Sequence, residues 1–158
     1  MPDRKYYLTK DGIVKIKEEL DLLKKQKSEL LEGSGPRSFR FGEVEAEYIT
    51  FQEDLARFKK RIKEIEDVLE SYDLIKVPPK KEQNEVHLGA EVSIELNGAV
   101  EEFKIVGTIE SDPANNKISD QSPIGKALIG GKIGDEIVIE TPMVNHTCRI
   151  LKIKYGNN

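Results

Sequence analysis

Tryptophan is absent from this chain, cysteine occurs once, histidine twice, and aromatic residues make up only 6% of it. The lone Cys148 excludes an internal disulfide and suits a reducing compartment. With only His87 and His146 to join it, no cysteine–histidine metal cluster is expected, and all three read as strand or surface positions without catalytic duty. Excess positive charge is missing too. The 25 basic residues against 29 acidic ones leave a net charge of -4, which gives no basic footprint for independent nucleic-acid binding. No apolar run approaches membrane-spanning length, and the Met1 end carries no positive-apolar-small leader, so a cytoplasmic protein is expected.

What is present is charge. It accounts for 34% of the 158 residues, a composition that favours long solvated helices over one large core. Thr9 stands as an N-cap, with Leu8 and Ile13 placed as a hydrophobic staple around it. Ile13, Ile16, Leu20, Leu23 and Leu30 then follow at helical spacing, with Lys27 in the one polar slot, until Gly33, Gly35 and Pro36 end the helix. A second stripe is more regular: Tyr48, Phe51, Leu55, Phe58, Ile62, Ile65, Leu69 and Tyr72. Its alternating steps are those of a coiled-coil seam. Two such helices joined by a short loop fold back on each other as an antiparallel hairpin; dimerisation through either seam is the alternative.

The tip of that hairpin is residues 33–44, and "FRFGEVEAEY" runs from it into the second helix, with Glu43, Glu45 and Glu47 alternating with small or apolar residues. These carboxylates either carry chemistry at the end of a rod or simply favour the macrodipole of a helix they begin. A helix starting near Glu43 would put positions 43 and 47 on one face, whereas an extended loop would put 43 and 45 on one side. Arg37, Phe39, Arg40 and Phe41 precede them as a basic-aromatic group. It is suited to phosphate or a stacked base, or else its phenylalanines cap the hairpin core.

The second half reads differently. Pro78-Pro79 and the polar run beyond mark a linker, and then "EVSIEL", "EEFKIVGTI", "NKIS", "DEIVIET" and "TCRILKIKY" alternate as half-buried strands. One short helix interrupts them, with Ser122 as N-cap, Pro123 at its first position and Gly130-Gly131 as its stop. "GGKIGD" lacks the Gly-Lys-Ser/Thr of a phosphate loop and is read as a pair of turns. The expected organisation is α+β: a hairpin over 1–75, a linker over 76–86, and over 87–158 a mostly antiparallel sheet with one helix on it.

Over nearly its whole length the chain resembles the GreA/GreB family of bacterial transcript cleavage factors. "YYLTKDGIVKIKEELDLLKK" is similar to the family's opening "MT-x-x-G-x-x-K-L-x-x-E-L-x-x-L", and "AEYITFQEDLARFKKRIKEIEDVL" to its second helix. The most specific match is "IVGTIESDPANNKISDQSPIGKALIGGKIGDEIVIETP". The resemblance implies a coiled-coil hairpin followed by an FKBP-like domain that docks on the rim of the RNA polymerase secondary channel, through Asp120, Ser122, Pro123 and Ile124. It also implies that tip carboxylates assist the Mg²⁺ of the polymerase active site in cleaving the nascent RNA 3′ end. The factor would hold no cofactor of its own, activate rather than catalyse hydrolysis, and act as a monomer away from any membrane.

The tip departs from the family pattern, whose usual form is Gly-Asp-Leu-Ser-Glu-Asn-Ala-Glu-Tyr. Aligned without a gap on Ala46-Glu47-Tyr48, Phe41 falls on the Asp and Val44 on the Glu. A two-residue deletion instead matches Gly42-Glu43-Val44 to Gly-Asp-Leu and leaves the second acid missing. Glu43 is therefore the expected principal carboxylate, with Glu45 or Glu47 secondary. A non-cleaving channel regulator on the same scaffold is the competing expectation. A plain interaction module with prolyl isomerase or chaperone activity is a third, which the low aromatic content disfavours because an isomerase pocket needs aromatic walls.

Overall fold

The computed structural model describes residues 6–33 and 43–156, with the side chains of 43–45 outside the description. Two long helices come first, α1 over Lys10–Gly33 and α2 over Glu43–Glu70. Thr9 caps α1 as its sequence position predicts, its hydroxyl accepting the Gly12 N–H at 3.0 Å. Ile13, Leu20, Leu23, Lys27 and Leu30 are half-buried and Ile16 is buried, so the stripe with its polar slot is the shielded face of α1. On α2, Ile62, Ile65 and Val68 are buried and Phe51, Leu55, Phe58 and Leu69 half-buried, while Tyr48 is exposed.

Among the described residues two ion pairs cross between the helices. Arg61 donates to both carboxylate oxygens of Glu19 from Nε and Nη2, at 2.7 and 3.1 Å, and Lys24 meets Glu66 at 3.2 Å. A parallel pair with Arg61 beside Glu19 would need the chain to return about 48 Å between Gly33 and Glu43, beyond the roughly 35 Å that ten extended residues reach. The helices therefore run antiparallel, as a hairpin.

Five further strands build one sheet: β3 (Ala90–Leu96), β4 (Ala99–Val106), β5 (Lys117–Ser119), β6 (Glu136–Glu140) and β7 (Asn145–Tyr155). Their order across the sheet is β5-β4-β3-β7-β6, antiparallel except for the parallel β4–β5 edge. Asn97-Gly98, both at positive φ, close the β3–β4 hairpin in the two-residue turn that suits strand twist. In β7 the register slips by one opposite Ser93/Ile94, leaving Leu151 unpaired. Cys148 and Ile150 face the core before this bulge, and Ile153 and Tyr155 after it, so one extra residue moves the buried set from even to odd positions. The short helix α3 (Pro123–Leu128) adds Leu128, Ile124 and Ala127 to a core of Val86, Val92, Ile94, Ile105, Ile118, Ile139 and Ile150.

Contacts divide the chain into two compact units, one of Met1–Gly12 with Tyr72–Asn158 and one of Ile13–Ser71. These bounds differ from the expected 1–75, 76–86 and 87–158. The cause is a parallel ladder between β1 (Tyr6–Leu8) and β2 (Tyr72–Leu74), extended by the Ile75 N–H donating to the Leu8 carbonyl at 2.7 Å. The expected linker is ordered as well: Lys80–Glu82 form a 3₁₀ turn and Val86 is fully buried, its N–H bonded to the Gly131 carbonyl. The predicted strand over "EEFKIVGTI" ends early, at Val106. A Cβ at Gly107 would stand 2.4 Å from the Tyr7 carbonyl oxygen, and the chain turns there.

Candidate functional site

The docking segment predicted from sequence lies where β5 turns into α3. Ser122 has extended backbone and caps α3, its Oγ accepting the Gly125 N–H at 3.0 Å and donating to the Ser119 carbonyl at 2.7 Å. Gly125 is obligatory for this approach, because a Cβ there would stand 2.0 Å from that same carbonyl oxygen. The Asp120 N–H donates to the Val106 carbonyl, which fixes the turn to β4 at 2.9 Å.

These bonds sort the four candidate residues. Ser122 commits its hydroxyl internally, and Ile124 packs against the sheet core. Asp120 is half-buried and Pro123 exposed, so these two present the turn's outer surface. Gln121 shares it: its side-chain amide donates to the Asp120 carboxylate at 3.1 Å and its N–H to Ser119 Oγ at 3.0 Å. Sequence reasoning passed over Gln121, a polar turn residue with no periodicity or motif chemistry to mark it.

The second candidate region is the start of α2. The helix begins at Glu43, so positions 43 and 47 lie on one helical face and position 45 does not. Glu47 is exposed, as are Ala46 before it and Tyr48, Ile49 and Thr50 after it. Tyr48 accepts a hydrogen bond from Gln52 one turn on, at 2.8 Å. Arg37, Phe39, Arg40 and Phe41 lie outside the described residues. Oxygen is the only donor type among the three glutamates, the chemistry that suits a hard cation such as Mg²⁺. Among the described residues no group of three His, Cys, Asp or Glu side chains is placed to hold a metal ion.

The residues read as without catalytic duty take these places: Cys148 is buried in β7, and burial pushes its thiol pKa up, away from the reactive thiolate. His146 is half-buried in β7 opposite Ile139. The His87 N–H donates to the Tyr155 hydroxyl at 2.8 Å, and that hydroxyl donates in turn to the Glu85 carbonyl. Among the described residues no helix is long and apolar enough to cross a membrane.

The family described as "Transcription elongation factor, GreA/GreB, C-term" matches residues 80–155. The transcription elongation factor GreA of Clostridium acetobutylicum is 36% identical over 156 residues, covering 96% of this chain and 98% of that protein. The GreA of Thermomicrobium roseum is 32% identical over 149 residues, covering 93% of this chain and 96% of its own. Among solved structures, the GreA factor homolog 1 (Gfh1) of Thermus thermophilus is 25% identical with a TM-score of 0.41, covering 96% of this chain and 99% of that one.

Proposed function

The chain belongs to the GreA/GreB family of transcription elongation factors, and from that premise we propose that it binds bacterial RNA polymerase in the secondary channel and stimulates cleavage of backtracked transcripts. The observation that carries this reading is the near full-length match at 36% identity, because it takes in the hairpin as well as the docking domain. In this reading the turn at Asp120 and Pro123 docks the globular unit on the polymerase, in the cytoplasm and as a monomer. The hairpin then carries the opening carboxylates of α2 into the active centre.

A helix of 28 residues is about 42 Å long, enough to reach a buried site from a rim. Glu43 sits in the first turn of α2, and positions 43 and 47 share a helical face. Mg²⁺ in the polymerase supplies the means to activate and orient a water at the scissile phosphate. This chain supplies added negative charge and position. It is not a nuclease itself: a few carboxylates at a helix start do not hold Mg²⁺ without the partner's ligands.

One observation favours a second reading. Neither alignment of "FRFGEVEAEY" restores the family's pair of acids three residues apart, and the basic and aromatic residues Arg37, Phe39, Arg40 and Phe41 precede Glu43 in the sequence. A non-cleaving regulator on the same scaffold would use that group to slow nucleotide addition. Backtracked complexes of the cognate polymerase, mixed with the factor in Mg²⁺, separate the two. Shortened RNA 3′ ends at an accelerated rate support cleavage; slowed addition with no shortening supports the regulator. RNA hydrolysis by the purified factor without polymerase contradicts both.

A further inference from the structure

The family-like opening of α1 contains Thr9-x-x-Gly12, and the stretch after β4 contains Gly107-x-x-Glu110; neither is part of the docking turn or the tip. In the folded chain they meet. Thr9 is buried and its hydroxyl is used twice, accepting the Gly12 N–H and donating to Glu110 Oε1 at 2.6 Å. The second carboxylate oxygen of Glu110 accepts the backbone N–H of the same Thr9 at 2.7 Å. Hydrogen bonds to an ionised acceptor are the strong class.

The backbone is shaped to allow this. A Cβ on Gly12 would stand 2.2 Å from Glu110 Oε1, and one on Gly107 2.4 Å from the Tyr7 carbonyl. The preceding residues are pinned by the β1–β2 ladder and by Ile75 on Leu8, whose side chain is fully buried. A threonine N-cap alone would satisfy the Gly12 amide. The carboxylate adds a second fastening across the globular unit, between residues separated by 101 positions.

We propose that Glu110 is a positioning residue: it fixes the first turn of α1 in the globular unit, and the action of the hairpin tip depends on that fixed turn. The inference rests on the cleavage function proposed above. Leverage is the physical reason. α1 is about 36 Å long, so loosening its first turn by about 10° moves its far end by about 6 Å. Misplacing a reacting group by about 1 Å is enough to cost around a hundredfold in rate.

The test titrates Thr9→Val, Thr9→Ser and Glu110→Gln full-length factors against backtracked complexes and follows RNA 3′ cleavage. Valine keeps the shape of threonine without the hydroxyl, serine keeps the hydroxyl, and glutamine keeps the shape of glutamate without the charge. The expected result is a loss of tenfold or more in maximal cleavage rate at saturating factor for Thr9→Val and Glu110→Gln. Their half-saturating concentrations should stay within twofold of wild type, and Thr9→Ser should retain the rate. Unchanged maximal rates, or losses that appear only in the half-saturating concentration, overturn the proposal.

Amide hydrogen exchange on the same proteins gives a readout independent of polymerase. Exchange at Gly12 should accelerate tenfold or more in Thr9→Val and Glu110→Gln while Ile94 and Ile105 keep their protection; unchanged exchange at Gly12 overturns the anchor. If the wild-type factor does not stimulate cleavage, the cleavage function fails. The anchor is then judged by this exchange and by the same saturation split in the inhibition of nucleotide addition.

Discussion

The sheet unit and the hairpin bury apolar surface by different means. In the sheet unit Val86, Ala90, Ile94, Ile105, Leu128 and Ile150 are wholly inaccessible, enclosed by a strand face on one side and α3 on the other. In the hairpin Ile16, Ile62, Ile65 and Val68 are the apolar side chains that reach burial among the described residues, and Leu22, Leu31, Tyr48 and Ile49 are about half exposed. Two helices share only one stripe each, so lengthening the rod adds reach without adding a closed core. The exposed pairs Arg61–Glu19 and Lys24–Glu66 flank that seam and add little beside its buried side chains.

Core truncation is the sharpest way to break this contrast. Ile94→Ala, at a fully buried position in β3, should cost about 3–4 kcal/mol in urea unfolding of the sheet unit, from lost transfer energy plus a cavity. Ile65→Ala on the hairpin seam should cost about 2–3 kcal/mol, read as helicity by far-UV circular dichroism, since the looser seam collapses around the gap. An Ile65→Ala loss equal to that of Ile94→Ala would mean that the hairpin is packed as tightly as the sheet.

Smaller effects sharpen the comparison. Ser122→Ala removes the α3 cap and should lower the stability of the sheet unit by about 1 kcal/mol. The double change of Ser122 and Pro123 should also weaken binding in a polymerase titration while the fold persists. Arg61→Ala should cost about 0.5 kcal/mol or less, because an exposed ion pair gains little over hydration. A larger loss in high salt than in low would contradict its assignment as a screened surface pair.

Much of this arrangement was legible in local pattern. The helical stripes, down to Lys27 in the seam, are the shielded faces of α1 and of α2 from Phe51 to Leu69, though the expected ends of the second stripe differ, Tyr48 being exposed and Tyr72 opening β2; Ser122-Pro123 starts α3 where capping chemistry places it. What escaped depends on pairing between distant segments. Residues 6–8 and 72–74 are too short and too far apart in sequence to announce a parallel ladder. Pro78-Pro79 disguised a segment whose Val86 is fully buried. The bulge at Leu151 is invisible in an alternation that looks continuous through "TCRILKIKY". At the tip, the choice between helix and extended loop followed from where α2 begins, and acidic residues at that point fit either.

In the proposed function a carboxylate at the start of α2 serves the polymerase's metal chemistry. Its most direct test is the rate of RNA 3′ cleavage in backtracked complexes at saturating Glu43→Gln, beside wild type and Glu47→Gln. Wild type should accelerate cleavage, Glu43→Gln should bind with wild-type affinity yet abolish the acceleration, and Glu47→Gln should lose less. Full acceleration by Glu43→Gln, or inhibition of nucleotide addition that is relieved by Arg37→Ala and Arg40→Ala, would contradict it.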